Sequence, residues 1–343
     1  MPNPWVYNHC CFLHKYPIFS GPRGHCFIFG IFYESLELLP SIKAGETLRV
    51  LISGASGLVG TELFSQLKAA GHEPLKLVRR KAKASDEISW NPASLELDPE
   101  VMETIDAVVN LAGATTGRIP WTRRYKREIV DSRINSTKTL VAAINAAKNP
   151  PKVLVSGSAS GFYGEGGNLW LTEDSPKGEG FLSDLANDWE LEAHKARTRV
   201  VLARTTLVMS RKLGALGRLV PLIKLFVGGP LGSGKQYWAW INLVDEAAAI
   251  IHLINTPTAH GPFNLSAPEP ATCEDMVRAL AKELGRPAWF GVPEFAMNLL
   301  IGEAARELLL VSQKMTATKL LASGFRFKYP DLESSVRWVV SKN

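Results

Sequence analysis

The stretch Leu-Arg-Val-Leu-Ile-Ser-Gly-Ala-Ser-Gly-Leu-Val-Gly, residues 48–60, constrains this chain more than any other. An apolar run from Leu48 to Ile52 leads into Gly54, Gly57 and Gly60. An apolar-periodic segment follows through Leu58, Val59, Leu63, Phe64 and Leu67. The pattern predicts a buried strand, a tight turn and a helix. Such a turn presents the helix's unpaired N–H groups, at the positive end of its dipole, to an anion. Gly54 allows the tight turn, Gly57 lets backbone approach a pyrophosphate, and Gly60 lets the helix pack close to the strand. With a strand before it and a helix after it, this G-x-x-G-x-x-G reads as a dinucleotide-binding turn, in which Ser56, Leu58 and Val59 are the intervening residues.

Strands alternate with helices downstream. Residues 74–78, 87–90, 106–111, 152–156 and 199–207 read as strands, and residues 122–148 and 181–197 as helices. This alternation places the chain in the α/β class, with a doubly wound parallel sheet. Ligands of such a sheet sit outside the carboxyl ends of its strands, so residues 54–60, 79–80, 110–113, 156–164 and 204–208 are expected to converge on one cleft. Beyond about residue 210 come a glycine-rich loop (228–234), an apolar segment (238–243) and helices beginning near 245 and covering 273–285 and 294–312. The expected division is a nucleotide-binding domain over 47–210 and a smaller, mostly helical substrate lobe over 211–343, with later segments free to rejoin the sheet. Residues 1–46, rich in aromatics, form an extension with no assigned role.

The 343 residues carry a net charge of +6, with basic residues spread along the chain and no nucleic-acid recognition motif beside them. No apolar stretch approaches the ~20 residues of a membrane helix, so a soluble, cytoplasmic protein is expected. Three of the four cysteines (Cys10, Cys11, Cys26, Cys273) lie in the extension, a usage that fits a reducing compartment. The seven histidines form no i, i+4 pair, and no metal site is expected. Gly229-x4-Gly234-Lys235 imitates a phosphate-binding loop, but Gln236 stands where a magnesium-binding hydroxyl belongs. Ala159 likewise occupies the nucleophile position of Gly157-Ser-Ala-Ser-Gly161.

An NAD site places an acidic side chain at the end of its second strand, to bind the ribose 2′-hydroxyl. Here that place holds Val78-Arg79-Arg80-Lys81, with no carboxylate before Asp86. Guanidinium groups suit a 2′-phosphate, so NADP(H) is the expected cofactor.

The chain resembles the extended short-chain dehydrogenase/reductases over roughly residues 48–340. It is most similar to their atypical branch of NADP-dependent oxidoreductases in the nucleoside-diphosphate-sugar epimerase family, of NAD-dependent epimerase/dehydratase type. The matching segments are Gly-Ala-Ser-Gly-Leu-Val-Gly (54–60), Asn-Leu-Ala-Gly (110–113), Asp-Ser-Arg (131–133) with Thr137 and Leu140, and Ser-Ala-Ser-Gly-Phe-Tyr-Gly (158–164). Further matches are Leu-Gly-Ser-Gly-Lys-Gln (231–236), Trp-Ile-Asn-Leu-Val-Asp (240–245) and Gly-Phe-Arg-Phe-Lys-Tyr-Pro (324–330). The resemblance implies a Rossmann-type fold and NADP contacts at Arg79, Arg80, Leu111, Ala112 with Gly113, Glu128, Arg133 and Val208.

Members that oxidise or epimerise use Tyr-x-x-x-Lys, in which lysine lowers the tyrosine pKa for proton transfer while nicotinamide takes hydride. With Glu190 as anchor, those positions fall at Leu182 and Ala186, and neither can move a proton. Ser158 matches the hydrogen-bonding serine, and Tyr163 lies in the same loop with Gly167 four residues on. Ser158 and Tyr163 are therefore the catalytic candidates, and Gln236 and Trp240 the substrate candidates. Two readings stay open. One is an NADP(H)-dependent oxidoreductase or epimerase-like enzyme acting on a small carbonyl or hydroxyl compound. The other is a non-catalytic NADP(H)-binding regulatory or interaction protein. Nucleic acid and membrane are not expected partners, and a homodimer is compatible but not indicated.

Overall fold

The computed structural model describes residues 46–211, 215–226 and 228–341. The expected extension thus lies, except for Glu46, outside the described residues. In chain order the main strands are β1 (Arg49–Ser53), β2 (Glu73–Val78), β3 (Glu87–Ser89), β4 (Ala107–Asn110), β5 (Val153–Ala159), β6 (Arg199–Thr205) and β7 (Gly261–Leu265). The main helices are α1 (Leu58–Ala69), α2 (Arg123–Ala146), α3 (Phe181–Ala193), α4 (Ala215–Lys224), α5 (Leu243–Asn255), α6 (Cys273–Glu283), α7 (Glu294–Ile301) and α8 (Leu332–Val340). All seven strands are parallel and lie in the order β7-β6-β5-β4-β1-β2-β3. The order reverses between β1 and β4, which is where a crevice opens in a doubly wound sheet.

The strands read as unbroken apolar runs because both faces are buried. Val50, Ile52, Val109, Val155 and Val201 pack under α1 and α5. Their neighbours Leu51, Val108, Leu154 and Leu202 pack under α2 and α3. The helical lobe has a separate core around Trp238, Trp240, Met276, Leu280 and Val336.

Two elements depart from the expected pattern. β7 reads Gly-Pro-Phe-Asn-Leu, and its proline argues against a central strand; it is an edge strand, paired with β6 alone, where a missing N–H is tolerated. The sheet therefore takes its last strand from well beyond residue 210. The helix expected over 294–312 stops at Ile301, because Gly302 adopts φ +67° and turns the chain. Among the described residues no helix is long and apolar enough to cross a membrane.

One buried charge-bearing group sits between a helix and the sheet. Glu246, in the first turn of α5, is fully buried, accepts from Thr205 Oγ1 at 2.6 Å, and leaves Oε2 without a partner. Burial pushes its carboxyl up to about 8. The folded chain thus holds a proton that the unfolded chain releases near pH 4.5, so stability falls between pH 4.5 and 8 and the penalty is complete above that. Glu246→Gln should remove this fall. Melting curves from pH 5 to 9 should coincide for variant and parent at the acid end. At pH 8 and above the variant should be more stable, by an amount of order 3–5 kcal/mol.

Candidate functional site

The glycine turn closes at the switch point of the sheet. Gly54 has φ +69°, and a Cβ there would stand 2.5 Å from the Leu111 carbonyl oxygen at the end of β4. A Cβ on Gly60 would stand 2.3 Å from the Gly54 carbonyl oxygen. The close approach that requires Gly60 is therefore to the turn's own backbone rather than to the strand. Gly57 has an ordinary φ of −76° and caps α1 without a side chain. A Cβ there would meet only the Gly54 carbonyl oxygen, at 3.1 Å, so the space before it is otherwise open. Ser56 and Gly57 are exposed, Leu58 and Val59 half-buried, and the first-turn N–H groups have no acceptor within the helix.

Side chains in register fix the neighbouring strand ends. Ser53 pairs with Asn110 across β1 and β4, and Asn110 with Ser156 across β4 and β5. Ser53 Oγ donates to Asn110 Oδ1 at 2.6 Å and accepts from the N–H groups of Leu111 and Ala112; Asn110 Nδ2 donates to Thr137 on α2 at 2.9 Å. Gly113 follows, and a Cβ on it would lie 3.0 Å from Arg133 Cζ. Arg133, also on α2, donates from Nη1 to the carbonyls of Ala114 and Ile129 and lies over the Trp189 ring. Burial pushes its guanidinium down to about 10, so it stays protonated at neutral pH. It has no carboxylate partner, and its Nε and Nη2 make no hydrogen bond among the described residues. An uncapped helix, an open glycine and an uncompensated cation together fit a pyrophosphate.

The end of β2 separates two arginines. Arg80 forms a two-pronged pair with Glu87, both bonds 2.7 Å, and with the Lys83 N–H this holds the Glu87 carboxyl down to about 2. Arg80 is thus engaged within the chain, whatever it contacts when a cofactor is bound. Arg79 is exposed and has no partner among the described residues. With Glu128 it lines a cleft of about 420 Å³ between the ends of β2 and β3 and one face of α2. Arg124 and Arg127 line the same cleft, likewise unpartnered among the described residues; the sequence reading missed both, although their helical spacing with Glu128 and Asp131 carried the signal.

The catalytic candidates lie in a buried polar network. Ser158, Arg204 and Asn264 are register partners across β5, β6 and β7. Ser158 Oγ donates to Glu190 Oε1 at 2.6 Å, and Arg204 grips Glu190 through Nε and Nη2, both at 2.8 Å. Arg204 Nη1 donates to Tyr163 Oη at 2.9 Å, which donates to Asn264 Oδ1 at 2.6 Å. Ser158 is 5% exposed and Tyr163 3%, and burial pushes the phenol up to about 12. Both hydroxyls are consumed by this network and line neither cavity. The half-buried hydroxyl at the end of β5 is that of Ser160.

A second cavity, about 270 Å³, opens beside Gly161 and Leu182 and reaches the helical lobe at Glu294, Arg306 and Gln313. Leu182 Cβ lies 3.0 Å from a Cβ built on Gly161, so α3 brings the Leu182 position against the β5 end. Glu165, Glu179, Glu294 and Glu307 line this cavity with one cation, Arg306. Gln236 and Trp240 do not line it. Gln236 is buried and donates to the carbonyls of Leu231 and Leu309, and Trp240 is wholly buried in the lobe's core. Gln313, which the sequence reading missed, lines the cavity and donates to the carbonyls of Ser160 and Gly164. Val208 lies on a short strand (207–209) paired with 240–242, packed on the sheet's core and away from both cavities.

A structural rather than catalytic Tyr163 has a measurable signature. Tyr163→Phe should cost about 1–3 kcal/mol of unfolding free energy, because it leaves Asn264 and Arg204 short of a buried partner. Arg204→Met should cost about 3–5 kcal/mol, since Glu190 then stays buried without its counter-charge. Urea unfolding of each variant checks both; an unchanged midpoint for Tyr163→Phe would return its hydroxyl to the solvent-facing site.

Several known proteins are similar to this chain. The model of the NAD dependent epimerase/dehydratase family matches residues 50–266, and a domain of unknown function (DUF1731) matches residues 292–339. An epimerase family protein of Mycobacterium leprae is 36% identical, covering 88% of this chain and 98% of its own length. The epimerase family protein SDR39U1 of Bos taurus is 35% identical, covering 86% and 100%. The crystal structure of human epimerase family protein SDR39U1 with NADPH superposes with a TM-score of 0.79 at 31% identity, covering 85% of this chain and 99% of that one. The chain belongs to the NAD dependent epimerase/dehydratase family, in the extended short-chain dehydrogenase/reductase group of Rossmann-fold proteins.

Proposed function

We propose that this protein is an NADP(H)-dependent oxidoreductase of the epimerase family that acts on a small carbonyl or hydroxyl compound. The observation that carries the reading is the open, uncapped turn at Gly57, whose Gly54 abuts Leu111 and Ala112, with Arg133 against the adjacent Gly113 as a protonated guanidinium with no acid of its own. The similar human protein solved with NADPH supports the choice of phosphorylated cofactor, as does the unpartnered Arg79 at the end of β2. The turn Gly54–Gly60 and Arg133 would hold the pyrophosphate, with Leu111 to Gly113 as the opposite wall. A nicotinamide, when bound, supplies hydride transfer.

The chain's own part is to position the substrate beside β5. The cavity at Gly161 and Leu182 carries four carboxylates and one arginine, a field that disfavours a phosphorylated substrate. Ser160, half-buried, immediately precedes Gly161 of that cavity, and Gln313 fixes the loop that bears it. With Leu182 and Ala186 at the usual Tyr and Lys positions, α3 supplies no proton-transfer pair. That same feature favours a second reading, an NADP(H)-binding protein without turnover. Oxidation of NADPH across a panel of small uncharged carbonyl compounds separates the two; binding with no oxidation of any of them selects the second.

The cofactor site is tested by Gly57→Val. Its φ suits any residue, so the variant should melt within a few degrees of the parent. Its side chain would occupy the space before the helix N-terminus, and calorimetric NADPH affinity should fall at least about a hundredfold. Retained affinity would remove the turn as the phosphate site.

A further inference from the structure

We infer that Arg124 and Arg127, on the first turns of α2, form with Arg79 a three-guanidinium clamp for the 2′-phosphate of NADP(H). The inference rests on the NADP(H) reading above and assigns the discrimination to residues across the cleft from the strand end. Three observations support it.

Arg80, the obvious second contact at the end of β2, is closed onto Glu87 by two 2.7 Å bonds and is not available. Arg79, Arg124 and Arg127 line one cleft of about 420 Å³, and none has a hydrogen bond or ion pair among the described residues. Arg80, Arg204 and Arg278, by contrast, are each paired with a carboxylate. Three unpartnered guanidinium groups around one cavity repel one another, an arrangement that a dianion relieves. Helical geometry explains the placement: residues 124, 127, 128, 131 and 135 share one face of α2, and all five line the cleft. The positive end of the α2 dipole adds to the same field. Glu128 and Asp131 lie on that face as well. They are acceptors suited to ribose or adenine donors, and they make the cleft a site for a nucleotide rather than for free anions.

The experiment measures NADPH and NADH affinity by calorimetry at fixed salt for the parent and three variants. The double variant Arg124→Ala/Arg127→Ala should lose about ten- to a hundredfold in NADPH affinity and change NADH affinity little. Its NADPH binding should also depend less steeply on salt. Arg79→Ala should behave similarly. The paired removal Arg80→Ala/Glu87→Ala should keep the NADPH preference within about threefold of the parent. All of these side chains except Glu87 are exposed, so far-UV circular dichroism should show folded protein throughout.

A double variant that keeps the parent's preference overturns the inference and leaves Arg79 alone as the discriminator, with the NADP(H) reading intact. An equal loss for NADPH and NADH also overturns it, because the arginines would then act on a part common to both cofactors. A parent protein that binds NADH as tightly as NADPH, or binds neither, overturns the underlying reading and the inference together.

Discussion

The guanidinium of Arg204 is the interaction on which the carboxyl edge of this sheet depends. Burying it would be prohibitive in isolation, and it is tolerated because its donors are matched. Nε and Nη2 meet Glu190, Nη1 meets Tyr163 and the Glu173 carbonyl, and the Phe162 ring covers its face at 3.6 Å. Through these bonds one side chain joins β5, β6, β7, α3 and the turn after β5. Because α3 is held there, Leu182 rests against Gly161, and the cavity beside the β5 end takes its shape from that contact.

The network also sorts hydroxyl groups by accessibility. Ser158 and Tyr163 carry the chemistry that the family pattern leads one to look for, but both are acceptors or donors inside a closed set. A phenol that burial holds up at about 12, despite the guanidinium beside it, has little capacity to act as a base at neutral pH. A parallel polar row, Ser53 to Asn110 to Thr137, ties β1 and β4 to α2 at the switch point. Ser53 and Asn110 form the last register pair of β1 and β4, and Ser158, Arg204 and Asn264 the last but one of β5, β6 and β7.

Charge distinguishes the two cavities described above. The cleft at β2 and α2 collects arginines, and the cavity at the helical lobe collects carboxylates. Under the proposed function, this asymmetry orients a dinucleotide, with its phosphorylated ribose at the cationic end and its reacting end toward β5. The net charge of +6 describes neither cavity.

Local pattern alone determined the first strand, the glycine turn and the α1 helix, because each depends on neighbours within a few residues. The α/β alternation followed from apolar runs separated by amphipathic segments, as a strand buried on both faces requires. Tertiary structure decided what separation in sequence conceals. Proline at 262 hid an edge strand whose edge position excuses it. Glu87 captured Arg80, seven residues on along the chain but on the neighbouring strand. Gln236 and Trp240 turned inward with the lobe's core, and Asn264 closed on Tyr163 from 101 residues away. Residue type and spacing establish which groups could do chemistry, but a group's partners fix its pKa and its exposure, and those partners are assigned only when the strands come into register.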